Sequence, residues 1–300
     1  MKINRKYFLV APVVGLMLAS CGGDKTEATD DLAVGVDSAK TELAQAQITE
    51  TFFQVPSPGE MLTFIKMVGG KNNKNISFLN SVDNQKNYND NKSKALNFGI
   101  YSCDLSYCSI FEIGTEALKY FKSVKQLGDQ IGVSSALKPE MMKRLEGNIG
   151  NSDSLAVITD DVYFSSFETL ENSKQGPTLS LVVAGGWIES LFIATSLAKY
   201  EENSQIVERL ADQKYTLDNL IEFLKKHEAD ASVASVVKQF TELQAEFNQI
   251  GEKDAATNVK STDKAVKVLG GGKELAVTKE QYTKIVEKIK AIRNSYTAVK

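Results

Sequence analysis

The sequence predicts an all-α protein, a multi-helix bundle built around two buried central helices and preceded by a flexible N-terminal tether. Three observations support this fold class: apolar residues recur at helical spacing from about residue 37, two long runs carry a single charge each, and the first residues form a processing signal. A chain of 300 residues with 42% hydrophobic and 24% charged content suits an ordinary folded protein.

The N-terminus has the pattern of a signal peptide. Lys2, Arg5 and Lys6 form a positive start, and residues 7–20 are uncharged and mostly apolar. As a helix, those fourteen residues would span only about 21 Å, which is shorter than the roughly 30 Å hydrocarbon core of a membrane. We therefore assign residues 1–20 to a cleaved signal rather than to a membrane span.

The signal ends in Leu18-Ala19-Ser20-Cys21, which resembles the lipobox of bacterial lipoproteins. The resemblance implies that the Cys21 thiol receives a diacylglyceryl group, that cleavage occurs before Cys21, and that the new amino terminus is acylated. Several acyl chains would anchor the protein firmly to a membrane. The alternative is a plain secretory signal with a cysteine at this position by chance.

Residues 21–36 are expected to form the lipidated, flexible tether, since Gly, Asp and Thr dominate them. The fifteen residues after Cys21, residues 22–36, reach roughly 20 Å on average. Gly22, in place of aspartate, resembles the sorting signal of outer-membrane lipoproteins, so we expect an outer-membrane location. Whether the protein faces the periplasm or the cell surface stays open.

Residues 37–300 are expected to form a single helical domain. Ser57 can cap a helix, Pro58 suits its first position and Glu60 completes a capping box, and this helix should end before Gly69. The asparagine-rich stretch that follows, residues 72–91, predicts a loop.

Amphipathic stripes predict five further helices, and the last should begin at Thr278 with a capping box to Gln281. The segment at 264–277 should form a short hairpin or stay loose. The stripes run over residues 113–131, 155–170, 206–224, 233–250 and 282–296.

Two segments are apolar on all sides. Residues 95–111 contain one charged residue, Asp104, and residues 175–198 also contain one, Glu189. Such helices lie in the centre of a protein or cross a membrane. Pro177, Gly185-Gly186 and the charge of Glu189 argue against a span, so we expect two central helices wrapped by the amphipathic ones.

A weak internal repeat links these segments. An alignment at an offset of 85 places Asp104 opposite Glu189, and the LGDQ motif at 127–130 matches LADQ at 210–213. The pattern suggests a duplicated helical pair around residues 95–131 and 178–213.

Several stretches together resemble an uncharacterised helical lipoprotein family of Bacteroidota. The resemblance covers most of residues 50–300 and supports the fold and the lipid anchor, but it implies no reaction. The stretches that carry it are PSPGEMLTFIKMVGG, KALNFGIYSCDLSY, YFKSVKQLGDQIGV and AGGWIESLFIAT.

Asp104 and Glu189 are the candidate site residues, because an ionised carboxylate in an apolar helix needs a partner, a proton or a polar cavity. One hypothesis is a ligand pocket with Tyr101, Tyr107 and Trp187 as walls, suited to a cationic or hydroxyl-bearing ligand. The other is a structural network in which each acid is satisfied by donors of the protein.

Several functional classes are excluded or disfavoured. A single histidine, His227, rules out a site built on several imidazoles, and we expect it to be a solvated residue at a helix end. Cys103 and Cys108 are expected to be buried thiols rather than a disulfide, since the helical rise between them is too large. We expect no metal and no cofactor. The formal charge of −3, or −6 without the three cations of the signal, indicates no nucleic-acid partner.

Three functions remain. The first is a non-enzymatic, membrane-tethered module that binds an envelope protein or supports an envelope assembly. The second is a ligand-binding lipoprotein with an acidic pocket at Asp104 and Glu189. The third is an acid/base hydrolase that uses these two carboxylates.

Overall fold

A computed structural model describes residues 57–68, 74–202, 204–254 and 273–298. The predicted signal peptide, Cys21 and the tether lie outside the described residues.

The described residues form an all-α bundle with a small two-stranded sheet, as the sequence predicts. Nine α-helices and one short 3₁₀ helix follow one another in this part of the chain. The 3₁₀ helix is Val82–Asn87 and lies between α1 and α2. The elements are α1 (Pro58–Val68), α2 (Asn91–Ile110), α3 (Gly114–Ile131), α4 (Pro139–Gly147), α5 (Ser152–Asn172), α6 (Gly176–Leu197), α7 (Gln205–Lys225), α8 (Ala231–Phe247), β1 (Gly251–Asp254), β2 (Lys273–Ala276) and α9 (Lys279–Thr297).

The two predicted central helices are α2 and α6, and they pack mainly against each other. Every residue of α2 from 95 to 110 is buried, and so is every residue of α6 from 178 to 194. By length and composition α6 could cross a membrane, yet 94% of its apolar window is buried inside the protein. Its apolar surface is therefore covered by neighbouring helices.

Glycines allow the backbones of α2 and α6 to touch. A Cβ atom on Gly99 would lie 2.7 Å from the backbone nitrogen of Gly186, and a Cβ atom on Gly185 would overlap the carbonyl oxygen of Leu96. Any side chain at these positions would push the helices apart. The small residues of α6 thus serve helix packing.

The remaining helices surround this pair. Helices α3 and α5 pack on α2, α8 and α9 pack on α6, and α1 contacts both central helices. Helix α7 packs mainly against α8. The caps at Ser57 and Thr278 are confirmed: Ser57 Oγ accepts from the Glu60 backbone amide at 3.3 Å, and Thr278 forms a reciprocal capping box with Gln281. The second bond of the Ser57 capping box, from the Glu60 side chain, stays a prediction.

Three local features differ from the sequence prediction. The predicted loop at 72–91 contains the 3₁₀ helix, and α4 was not predicted, because both elements are too short to show a clear helical period. The hairpin pairs β1 with β2 in antiparallel register, Gly251 opposite Ala276. Its first strand therefore precedes the predicted segment 264–277, and residues 255–272 between the strands lie outside the described residues.

We expect Gly185→Ala to destabilise the protein by at least about 2 kcal/mol, because its new methyl group would overlap the α2 backbone. Gly147→Ala in α4 is the matched control, since nothing lies within 4 Å of its added Cβ atom. That change should be neutral or slightly stabilising. Chemical denaturation of both variants would measure the difference, and equal stability of the two would contradict the close packing.

Candidate functional site

The structure brings Asp104 and Glu189 together in the centre of the bundle, and both are fully buried. A third residue, Arg293 from α9, pairs with Glu189 through two hydrogen bonds. Its Nε donates to Oε2 at 2.8 Å and its Nη2 donates to Oε1 at 3.0 Å. This bidentate geometry is a strong form of the arginine–carboxylate pair.

The Arg293 guanidinium has two further contacts. Its Nη2 also donates to the carbonyl oxygen of Phe78 at 3.3 Å, and its central carbon lies 4.4 Å from the centre of the Phe192 ring. Burial acts against the charge of Arg293, but the Glu189 carboxylate outweighs it and raises the pKa of Arg293 above its usual value. The cation is therefore held firmly in the interior.

Asp104 has a different environment. Its Oδ2 accepts from the backbone amide of Asn80 at 3.3 Å, while its Oδ1 is one of three buried side-chain atoms without a hydrogen-bond partner among the described residues. Burial raises the pKa of Asp104 well above its usual range, and the charge of Glu189 raises it further. Arg293 bonds Glu189, so burial and the charge of that carboxylate together favour the neutral form of Asp104. A protonated Oδ1 can donate to the Glu189 carboxylate, which satisfies the remaining atom.

A short segment, residues 75–81, closes over these groups. Besides its backbone contacts to Asp104 and Arg293, the segment brings the buried Asn80 side chain to two polar groups, the Tyr88 hydroxyl and the Asn97 side chain on α2. Asn80 Nδ2 donates to the Tyr88 hydroxyl at 3.0 Å and to Asn97 Oδ1 at 3.1 Å. Asn97 Nδ2 in turn donates to the Tyr296 carbonyl at 2.9 Å, which ties the segment to the end of α9.

The three predicted aromatic walls use their polar atoms elsewhere in the protein. The Tyr101 hydroxyl donates to the Ser81 carbonyl at 2.7 Å, and the Tyr107 hydroxyl donates to the Asn75 carbonyl at 3.0 Å. These two tyrosines therefore hold segment 75–81 in place. Trp187 Nε1 donates to Gln213 Oε1 on α7 at 3.2 Å.

Two cavities of the described residues lie away from the two acids. One of about 310 Å³ lies between the hairpin and the first turns of α7 and α9, and another of about 480 Å³ borders the α6–α7 connection. Neither lining includes Asp104 or Glu189. An acidic ligand pocket at these two residues stays a prediction.

The structure also locates the other chemical side chains. Cys103 and Cys108 are buried free thiols, as predicted, and burial raises the pKa of each. His227 lies just after the C-terminal end of α7, as predicted, but its ring is half-buried rather than fully solvated, because it packs against Gly176 at the start of α6. In the described residues, His, Cys, Asp and Glu form no group of three that could hold a metal ion.

Sequence reasoning missed Arg293, although a signal was present. Arg293 follows Ile292 and precedes Tyr296 by three positions, so it lies on the apolar face of α9. A cation on an apolar face needs a buried anion, and the sequence offers few of them. Asn80 was missed because it lies in a stretch rich in asparagine, where no pattern singles it out.

A second unusual carboxylate, Asp160 on α5, was also missed. Its Oδ1 lies close to the backbone of Gly59 at the start of α1, at 2.5 Å from the position a Cβ atom would take. Burial, together with the neighbouring charges of Glu60 and Asp161, raises its pKa to about 6. The nearby cation Arg144 is bonded to Asp161 at 3.0 Å.

Comparison of the chain with known protein families, curated proteins and solved structures finds no match.

We expect Asp104→Asn to change the free energy of unfolding by no more than about 1 kcal/mol at neutral pH, because an amide mimics the neutral acid and keeps a donor toward Glu189. The double variant Asp104→Asn/Glu189→Gln should lose about 3–5 kcal/mol, since it leaves Arg293 buried without an anion. Glu189→Gln alone should fall between them, because Asp104 can then give up its proton. Urea unfolding would measure all three, and a large loss for Asp104→Asn would contradict the neutral state.

The raised pKa of Asp160 predicts a pH dependence of stability. Because the folded protein binds this proton more tightly than the unfolded chain does, the contribution of Asp160 to stability decreases as pH rises from about 4 through 6. Asp160→Asn should therefore be more stable than the wild type above pH 6, by about 1–2 kcal/mol after solvent screening. Thermal unfolding of both proteins across this range would test it, and a constant difference would contradict it.

Proposed function

We propose that this protein is a lipid-anchored component of the bacterial cell envelope whose helical body has a non-enzymatic role, binding a partner protein or supporting an assembly. The anchor is argued from the sequence alone, from the charged start, the apolar run and Cys21 at the end of its box. The resemblance to helical lipoproteins of Bacteroidota agrees with it. The outer membrane is the proposed location, on its periplasmic or its surface face.

One observation carries the non-enzymatic role. The two acids of the central helices, Asp104 and Glu189, are both fully buried. Arg293 donates two hydrogen bonds to the Glu189 carboxylate. A general acid or base must reach the proton of a substrate within hydrogen-bond distance. Asp104, Glu189 and Arg293 instead interact with other groups of the core, and these interactions support the relative positions of α2, α6 and α9.

Ligand binding at these acids is the second candidate, and hydrolysis is the third. The unpartnered Oδ1 of Asp104 is the observation that favours a ligand. It has a simpler explanation in the proton shared with Glu189, and segment 75–81 covers the site. Both alternatives would require this segment to move, and four side-chain hydrogen bonds hold its backbone.

Metabolic labelling with radioactive palmitate tests the anchor. In a bacterial host that processes lipoproteins, the wild type should incorporate label into a membrane-bound form, and Cys21→Ala should incorporate none and keep its signal or become soluble. Cys103→Ala is the matched control, because that thiol is buried and should not affect labelling. Equal labelling of Cys21→Ala and the wild type would refute the proposal.

A further inference from the structure

The outer sides of α1 and α5 carry apolar and acidic residues together. Glu60 and Met67 are seven positions apart and therefore share one side of α1, and Met67 is 70% exposed. Val157, Asp160 and Asp161 share one side of α5, where Val157 is 58% exposed. We refer to these five residues as the α1–α5 face.

The two halves of the α1–α5 face are adjacent. Asp160 lies against the backbone of Gly59, one residue before Glu60, and the charge of Glu60 acts directly on the Asp160 carboxylate. Val157 precedes Asp160 by three positions and Asp161 follows it directly, so the three residues lie within about one turn of α5. Exposed Val157 thus lies next to the acids, and exposed Met67 lies two turns further along α1 from Glu60.

The charge of Asp160 is poorly compensated within the described residues, although the guanidinium of Arg209 lies over the Phe64 ring, one turn along α1 from Glu60. Burial disfavours the charged form of Asp160. The two charged neighbours that act on it, Glu60 and Asp161, are both acids and disfavour it further. The cation Arg144 is already bonded to Asp161. A cation brought in from outside would relieve the repulsion, and an apolar surface beside that cation would cover Met67 and Val157.

We propose that the α1–α5 face binds a basic amphipathic segment of a partner protein, with a lysine or arginine placed at Asp160 and apolar residues placed on Met67 and Val157. This inference rests on the proposed partner-binding role and gives that partner its chemistry.

The charges on the chain itself argue against two other occupants. Residues 22–56, which precede α1, contain seven carboxylates and two lysines, so this segment would add to the negative charge. A second copy docked symmetrically through the same face would place acid against acid. A basic partner is the occupant that complements the face.

Titration of the full-length mature protein with a fluorescent amphipathic helical peptide of leucine and lysine tests the proposal. This peptide should bind, and the leucine–glutamate counterpart should not. Asp160→Asn/Asp161→Asn should weaken binding about tenfold, and Val157→Ser should weaken it severalfold. Binding to the wild type should also weaken as pH falls below 6, because Asp160 then takes up a proton.

Glu201→Gln/Glu202→Gln is the matched control, since it removes two exposed acids from the α6–α7 connection without touching the face. Hydrogen exchange of the complex should show protection in α1 and α5. Equal weakening by the control, protection elsewhere, or no binding of the lysine peptide would overturn the proposal. The proposal would also be overturned if the free protein sediments as a dimer and Val157→Ser dissociates that dimer. The occupant of the face would then be a second copy of the chain. None of these results depends on the palmitate experiment, so the anchor and the face can fail separately.

Discussion

The ion pair between Glu189 and Arg293 is the interaction on which the interior of this bundle depends. It joins α6 to α9 across 104 positions of the chain, with both charges removed from water. Such a pair costs free energy to bury and is strongly unfavourable when one partner is missing. Its presence therefore constrains which helix can lie beside α6 and at what rotation, which apolar contacts alone specify less sharply.

The second carboxyl group makes this centre unusual. Asp104 adds a second carboxyl group beside this pair, and burial and the charge of Glu189 raise its pKa, which favours its neutral form. The neutral acid then receives a backbone amide on one side and faces Glu189 on the other. Segment 75–81 is positioned by this arrangement and by two tyrosine hydroxyls, so a piece of chain without regular structure becomes part of the core.

Much of the fold could be predicted from local patterns. The two runs with a single charge are the central helices, and the caps at Ser57 and Thr278 begin helices, because helical period and capping depend on residues within a few positions. Helix α4 and the 3₁₀ helix were missed because nine or fewer residues give too few turns to show a period. The duplication suggested by Asp104 and Glu189 stays a prediction, although the two residues meet in space.

The candidate site was only half predictable for a related reason. A single acid in an apolar helix indicates that a partner exists, but it does not indicate where in the chain that partner lies. Arg293 could be found only by asking which cation occupies an apolar face, and Asp160 gave no signal because α5 carries several acids. The contact of Asp160 with Gly59, at the start of α1, joins residues that are far apart in the chain, so no local pattern indicates it.

The position of Arg293 also bears on how the chain reaches its folded state. Arg293 lies in the last described helix, 104 positions after Glu189, so any fragment that ends before α9 contains both central helices but not the cation that balances Glu189. Burying that carboxylate in such a fragment would be costly, so the central pair gains its full stability once α9 is present.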